Sequence, residues 1–295
     1  MIKNAYALMK ARGVGGLLRE VYQRVLPYRL RYYPQCKSAF ESRTGLELGG
    51  PSSAFGPRGC IPVYSVAARI DNCNFGNKTV WEGDLTEGEN FVFNKDKPPG
   101  RQYVTEASSL PAIKDAEYDF VLSSHCIEHL ANPLQGLSEW IRVLKQDGVL
   151  VLLVPHKDGT FDHRRPVTAM KHLIQDFDAR TTEHDMTHLE EILELHDLSQ
   201  DPGAGTLEQF RERSKLNFDN RCLHQHVFDT RLAVEVVDHM RLQILAVEPF
   251  QPCHIAIVAK KVGRDQPVDN ARFTGASSGP AWQSPFPSDR LSEQA

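Results

Sequence analysis

The chain lacks the devices by which several large protein classes announce themselves. Its six cysteines (Cys36, Cys60, Cys73, Cys126, Cys222 and Cys253) form no C-x-x-C pair and no regular spacing. That argues against a zinc ribbon, an iron–sulfur ferredoxin and a secreted disulfide scaffold. No run of about 18 apolar residues occurs, so no membrane-spanning helix is expected. The N-terminus has neither the apolar stretch nor the small-residue cleavage site of a secretory signal, and a cytoplasmic setting is the expectation. The patterns G-x-G-x-x-G and G-x-x-x-x-G-K-[ST] are missing, which removes a dinucleotide fingerprint and a phosphate loop. There is no internal repeat, and no histidine precedes residue 125.

What is present is a chain of 295 residues, 41% hydrophobic and 24% charged, with a formal net charge of −4. That length holds one large domain or two small ones. The charge is uneven. Residues 1–43 carry nine Lys/Arg against Glu20 and Glu41. They read as a basic helical arm with Leu17, Leu18, Val21, Val25 and Leu26 as its apolar stripe, interrupted by Pro27 and Pro34. Such an arm suits peripheral contact with an anionic membrane face or with an enzyme complex. An acidic body does not suit nucleic acid, and none is expected as a partner. Residues 262–295, rich in Pro, Gly, Ser and charge, read as a disordered tail.

Between these ends the pattern alternates strand and helix. Residues 45–48, 61–65, 102–106 and 118–124 are strand candidates. A helix is predicted from Pro133, with Leu134, Leu137, Ile141 and Leu144 on one face. The continuous apolar run 149–154 reads as a strand buried on both faces. Strands over 242–250 and 254–260 are separated only by Gln251-Pro252-Cys253, a link that permits a hairpin and not a parallel crossover. The expected fold is α/β.

The segment Gly45-Leu46-Glu47-Leu48-Gly49-Gly50 puts an acid on a strand and glycines at its carboxyl end, where open parallel sheets bind ligands. Together with Asp119-Phe-Val-Leu-Ser-Ser-His-Cys-Ile-Glu128-His129-Leu and Arg142-Val-Leu-Lys145-Gln-Asp-Gly148, it resembles the class I S-adenosylmethionine-dependent methyltransferases over residues 44–261. The resemblance implies a Rossmann-like, mostly parallel seven-stranded sheet with helices on both faces and a C-terminal antiparallel hairpin. It implies S-adenosylmethionine as cofactor, with Glu47, Gly49 and Gly50 around its methionine part. Asp71 would take the ribose hydroxyls, Glu106 and Ala107 the adenine, and Ser124 and His125 the sulfonium side. For Glu128-His129 it implies a pair that locks the following loop.

All twelve histidines lie between residues 125 and 254, many of them in a polar insertion over 156–229. His156 and Asp162-His163-Arg164-Arg165 follow the fifth strand, so His163 oriented by Asp162 is the expected general base and His156 a further candidate. Arg164 and Arg165 would meet a phosphate or carboxylate on the acceptor. His184 and His188 flank a capping-box pattern at Thr187-x-x-Glu190, and His224 and His226 share one side of an extended segment. His188, His224 and His226 are read as substrate contacts. No residue is assigned to a metal, and a divalent ion is the less favoured reading. The expected activity is O-methylation of a sugar or glycan-like hydroxyl or phosphate acceptor, in the manner of methyltransferase-domain proteins of bacterial surface-polysaccharide type. The alternatives are a non-catalytic cofactor-binding module docked on a glycan-synthesis complex and a metal-dependent sugar methyltransferase.

Overall fold

Strand β8 (Leu144–Pro155) carries the pattern that organises the molecule: Leu150, Leu152 and Val154 enter one buried cluster while Val149, Val151 and Leu153 enter another. Period-2 alternation in a strand that is apolar on both sides requires cover on both faces. The computed structural model describes residues 28–275 and 280–291. The apolar stripe expected for the basic arm lies outside the described residues.

The strands in chain order are β1 (Thr44–Leu48), β2 (Arg69–Asn74), β3 (Lys78–Thr79), β4 (Gly83–Asp84), β5 (Gly88–Phe91), β6 (Gly100–Val104), β7 (Tyr118–Ser124), β8, β9 (Leu242–Phe250) and β10 (His254–Lys261). Eight of them form one sheet in the order β5-β6-β2-β1-β7-β8-β10-β9. The five strands β6, β2, β1, β7 and β8 run parallel. The expected hairpin is present as β9–β10, antiparallel to β8. The eighth strand, one more than expected, is β5, which pairs antiparallel with β6 at the edge. Strand order reverses between β1 and β7, so the ligand crevice of such a sheet opens at the carboxyl ends of these strands.

Nine helices are present among the described residues: α1 (Tyr33–Cys36), α2 (Pro133–Val143), α3 (Met170–Ala179), α4 (Leu189–Leu195), α5 (Leu207–Lys215), α6 (Asn217–Asn220), α7 (Thr230–His239), α8 (Ala271–Thr274) and α9 (Pro287–Leu291). Helix α2 starts where the sequence placed it, with the Asn132 side chain accepting from the Gln135 amide at 3.0 Å. Helices α2 and α7 cover one face of the sheet through Leu134, Leu137, Trp140, Val234 and Val237. The other face carries no helix longer than the single turn α1 among the described residues. It is closed by Leu30, Cys36 and Phe40 and by Phe55, Ile61 and Val63 of the β1–β2 crossover. No helix among the described residues is long and apolar enough to cross a membrane.

Four sequence expectations change here. Residues 61–65 do not form a strand: Val63–Ser65 is a 3-10 turn, and the strand beside β1 is β2. Residues 28–43 are not a separate arm, because Tyr28 stacks on Phe250 at 4.1 Å and the Tyr32 amide donates to Glu248 at 2.9 Å. The Thr187–Glu190 capping box does not form, since the Thr187 hydroxyl donates to Asp185 instead. Beyond residue 261 the described residues, 262–275 and 280–291, are packed rather than disordered. Phe273, Trp282 and Phe286 are buried, and the Asp289 carboxylate accepts from the Thr230 hydroxyl at 2.6 Å. Three aromatic side chains spread over a polar stretch give no periodic signal, yet they suffice to seat it.

Candidate functional site

At the carboxyl ends of β1, β2, β6 and β7 lies a cavity of about 890 Å³. Its floor begins at Gly49, whose φ of +76° places it in the left-handed region that favours glycine. An added Cβ there would point at Cys126, 3.6 Å away, so the missing side chain keeps this backbone open to the cavity. Asn74 ends β2, and its Oδ1 accepts from the Trp81 indole at 3.3 Å. Ala107 lines the wall after β6, and Ser124 and His125 the wall after β7.

Six sequence-predicted residues reach this cavity: Gly49, Glu106, Ala107, Ser124, His125 and His224. Glu106 does so already paired with the Arg221 guanidinium.

Glu47 and Gly50 do not line it. The Glu47 carboxyl is fully buried beneath the loop, taking the Ser52 amide at 2.8 Å and the Tyr64 hydroxyl at 2.5 Å. Burial pushes it up to about 8. A Cβ on Gly50 would fall 2.3 Å from Glu47 Cδ, so this glycine permits close packing against the acid. Glu47 therefore shapes the glycine loop from behind. Asp71 sits mid-strand opposite Leu46, holding the Arg69 side chain at 2.7 Å, the Arg101 amide at 2.8 Å and the Tyr118 hydroxyl at 2.8 Å. The place expected for a ribose-binding acid, at the end of β2, is held by Asn74.

The expected base also moves. His163 turns outward to Asp197, 2.9 Å away, and Arg164 pairs with the same carboxylate. Asp162 turns inward, because adjacent residues in this loop point to opposite sides. It is ion-paired with Arg165 and hydrogen-bonded to His224 Nδ1. Arg165 is buried and spent on Asp162, Glu191 and the His224 carbonyl. His156 is fully buried against Phe286, with its Nε2 3.2 Å from Asp289. His188 and His226 lie away from the cavity, with His172.

The residues that do converge are Glu128, His129 and His224, whose ligand atoms lie within 4.8 Å of one another. Glu128 is fully buried and neither carboxyl oxygen has a hydrogen-bond partner. Its Oε1 is 3.7 Å from His129 Nε2, 3.8 Å from His125 Nδ1 and 3.9 Å from His224 Nε2. His129 Nδ1–H donates to the Leu223 carbonyl at 2.9 Å, and His224 Nδ1–H donates to Asp162. Each ring is thus oriented through its far nitrogen, leaving Nε2 facing Glu128, an arrangement common to metal-binding histidines. Burial raises Glu128 to about 7 and lowers His129 to about 3. For His224 burial works downward, and the Asp162 carboxylate outweighs it, raising the imidazole above its ordinary value. Close by, His125 Nε2 and His254 Nδ1 are 2.9 Å apart. Burial holds His125 well below the usual histidine range and His254 at about 4, so both are neutral near pH 7.

Sequence reasoning underused Glu128 and His129. Their signal was the spacing His125-x-x-Glu128-His129 at the end of a strand; the partner His224, 95 residues beyond His129, was expected only as a substrate contact, with nothing to link it to this pair.

Residues 67–152 match the family model of a methyltransferase domain. The match begins at the threshold of β2 and leaves the Glu47–Gly50 loop outside it. Among solved structures, the chain is similar to S-adenosylmethionine-dependent methyltransferases from Methanosarcina mazei (16% identity, 79% of this chain and 99% of that one, TM-score 0.44) and Aquifex aeolicus (13%, 81% and 93%, 0.42). It is also similar to the Burkholderia thailandensis 1,6-didemethyltoxoflavin-N1-methyltransferase with bound S-adenosylhomocysteine (11%, 88% and 90%, 0.45). At these identities and scores the likenesses carry no argument about chemistry. No curated protein matches the sequence.

Proposed function

We propose that this chain, residues 67–152 of which match the family model of a methyltransferase domain, takes S-adenosylmethionine as its methyl donor and is a divalent-metal-assisted O-methyltransferase of a polar, sugar-like hydroxyl. The donor supplies an electrophilic methyl group, so the protein's part is to align two partners, exclude water and remove the acceptor's proton. Gly49 exposes backbone where the donor must approach closely. The Asn74 carboxamide stands at the end of β2 to meet its ribose, and Ala107 offers an apolar wall to its base.

The observation that carries the metal is Glu128, a buried carboxylate without a hydrogen bond, faced by three imidazoles on the cavity wall. A buried charge needs a counter-charge or a metal. Glu128, His129 and His224 would hold a divalent ion, which supplies Lewis acidity toward an acceptor oxygen. The hydrogen-bonded His125–His254 pair lines the same wall and would orient the acceptor hydroxyl.

The acceptor wall comes from the 156–229 stretch through Phe161, Asp201, Arg213 and Arg221. Both arginines are already paired, Arg213 with Asp201 and Arg221 with Glu106. With Arg164 and Arg165 also outside the cavity, a neutral hydroxyl fits better than a phosphate. A sugar unit of a surface polysaccharide is the acceptor class this reading favours.

The test is methyl transfer from labelled donor to a panel of mono- and oligosaccharides, after chelator treatment and with Mg²⁺, Mn²⁺ or Zn²⁺ restored. Expected is turnover that needs the ion in the wild type and is lost in Glu128→Gln, with S-adenosylhomocysteine binding retained in both. Full turnover by the chelated enzyme, or by Glu128→Gln, would overturn the metal. Absence of sugar methylation under every ion would overturn the acceptor.

A further inference from the structure

A second convergence of ligands lies outside the cavity. His172 and Asp176 are one turn apart on α3, His188 immediately precedes α4, and His226 sits in the extended segment before α7. The three histidines each offer a nitrogen within 4.8 Å of the others. His172 Nε2 is 3.1 Å from His188 Nε2 and 3.3 Å from Asp176 Oδ2, and His226 Nε2 is 3.8 Å from the same oxygen while donating to the Ala131 carbonyl at 3.3 Å, a bond that the ion would replace. Thr181 donates to the other carboxylate oxygen, Oδ1, at 3.2 Å. Asp176 Oδ2 itself is buried and accepts no hydrogen bond, and His226 Nδ1 is likewise buried without a partner. A tetrahedron with bonds of 2.0–2.1 Å has edges of roughly 3.3 Å, close to these separations.

We infer that His172, Asp176, His188 and His226 form a closed, structural Zn²⁺ site. Three imidazoles and one carboxylate are a donor set that suits zinc, and four protein ligands leave no open position for chemistry. The ion would tie three segments far apart in sequence, all belonging to the polar insertion. Its consequence reaches the cavity through His226. The His226 amide donates to the Glu128 carbonyl at 3.2 Å, and His224, two residues before it, lines the cavity wall. Fastening His226 therefore fixes the segment that presents His224. The site does not depend on the proposed reaction, since none of its four side chains lines the cavity.

Zinc content of the purified chain, measured by elemental mass spectrometry, tests this directly. Relative to the wild type, His188→Gln and Asp176→Asn should each lose one equivalent of zinc. Relative to Glu128→Gln alone, which removes any ion held in the cavity, the doubles Glu128→Gln/His188→Gln and Glu128→Gln/Asp176→Asn should each lose one further equivalent. Stripping the wild type should lower its melting temperature by several degrees, and ZnCl₂ alone should restore it, a readout that needs no variant. Unchanged zinc content in both His188→Gln and Asp176→Asn would overturn the site and leave a hydrogen-bonded imidazole cluster. So would a stripped wild type whose melting temperature ignores zinc. A single equivalent in the wild type that Glu128→Gln loses entirely would place that ion in the cavity instead.

Discussion

Asp162 fixes which nitrogen of His224 faces the cavity: with Nδ1 bonded to that carboxylate, Nε2 is turned to Glu128, 3.9 Å away. The sequence pairs Asp162 with its neighbour His163, and the fold pairs it with a residue 62 positions on.

His224→Ala should therefore lower kcat by about 10²-fold or more while leaving S-adenosylhomocysteine affinity within a few-fold. Asp162→Asn keeps the ring in place but loses its orienting charge, and should cost about 10–100-fold. Steady-state rates with labelled donor, together with calorimetry, check both. Equal affinity losses in the two variants would assign them to packing alone.

His163→Ala should leave turnover within about twofold, because removing a half-exposed ion pair with Asp197 changes little. A loss of even 10²-fold would return the base to this loop.

Gly49→Val should abolish donor binding, since it puts a β-branched side chain at positive φ and bulk into the cavity. Isothermal titration with S-adenosylhomocysteine decides. Binding like the parent's would move the donor elsewhere.

Glu47 sets a pH dependence of stability. Its folded value of about 8 lies above the ordinary 4.5, so its protonated form is favoured by folding. Its contribution is fully present below about pH 4.5 and is lost as pH rises towards about 8. Glu47→Gln, which cannot ionise, should flatten the fall in chemical-denaturation stability between those limits. An unchanged slope would show that other groups carry it.

The C-terminal stretch should matter for stability. Phe286 is 1% exposed and stacks on His156 at 3.9 Å. Phe286→Ala should cost about 3–5 kcal/mol, and at roughly 2–4 °C per kcal/mol the melting temperature should fall by about 6 °C or more. Deleting residues 280–295 should cost at least as much. A truncated chain that melts like the parent would make this packing incidental.

The sequence by itself determined β1, the strands of the parallel sheet from β6 onward, the helix at Pro133 and the closing hairpin. These depend on local chemistry: a doubly apolar run, a proline at a helix start, a link of three residues. It also placed Gly49, Ala107, Ser124 and His125, because residues just after a parallel strand must stand at the sheet's carboxyl end. Tertiary structure decided the partners. Whether Glu47 touches a ligand or a tyrosine depends on Tyr64, which arrives from the β1–β2 crossover. Whether Asp71 meets solvent depends on Tyr118 of β7. Which histidine of the insertion enters the cavity depends on how that stretch folds back over the sheet, which brings in His224. A side chain's direction in a loop follows no period, and contacts made across tens of residues leave no mark in the spacing of either partner.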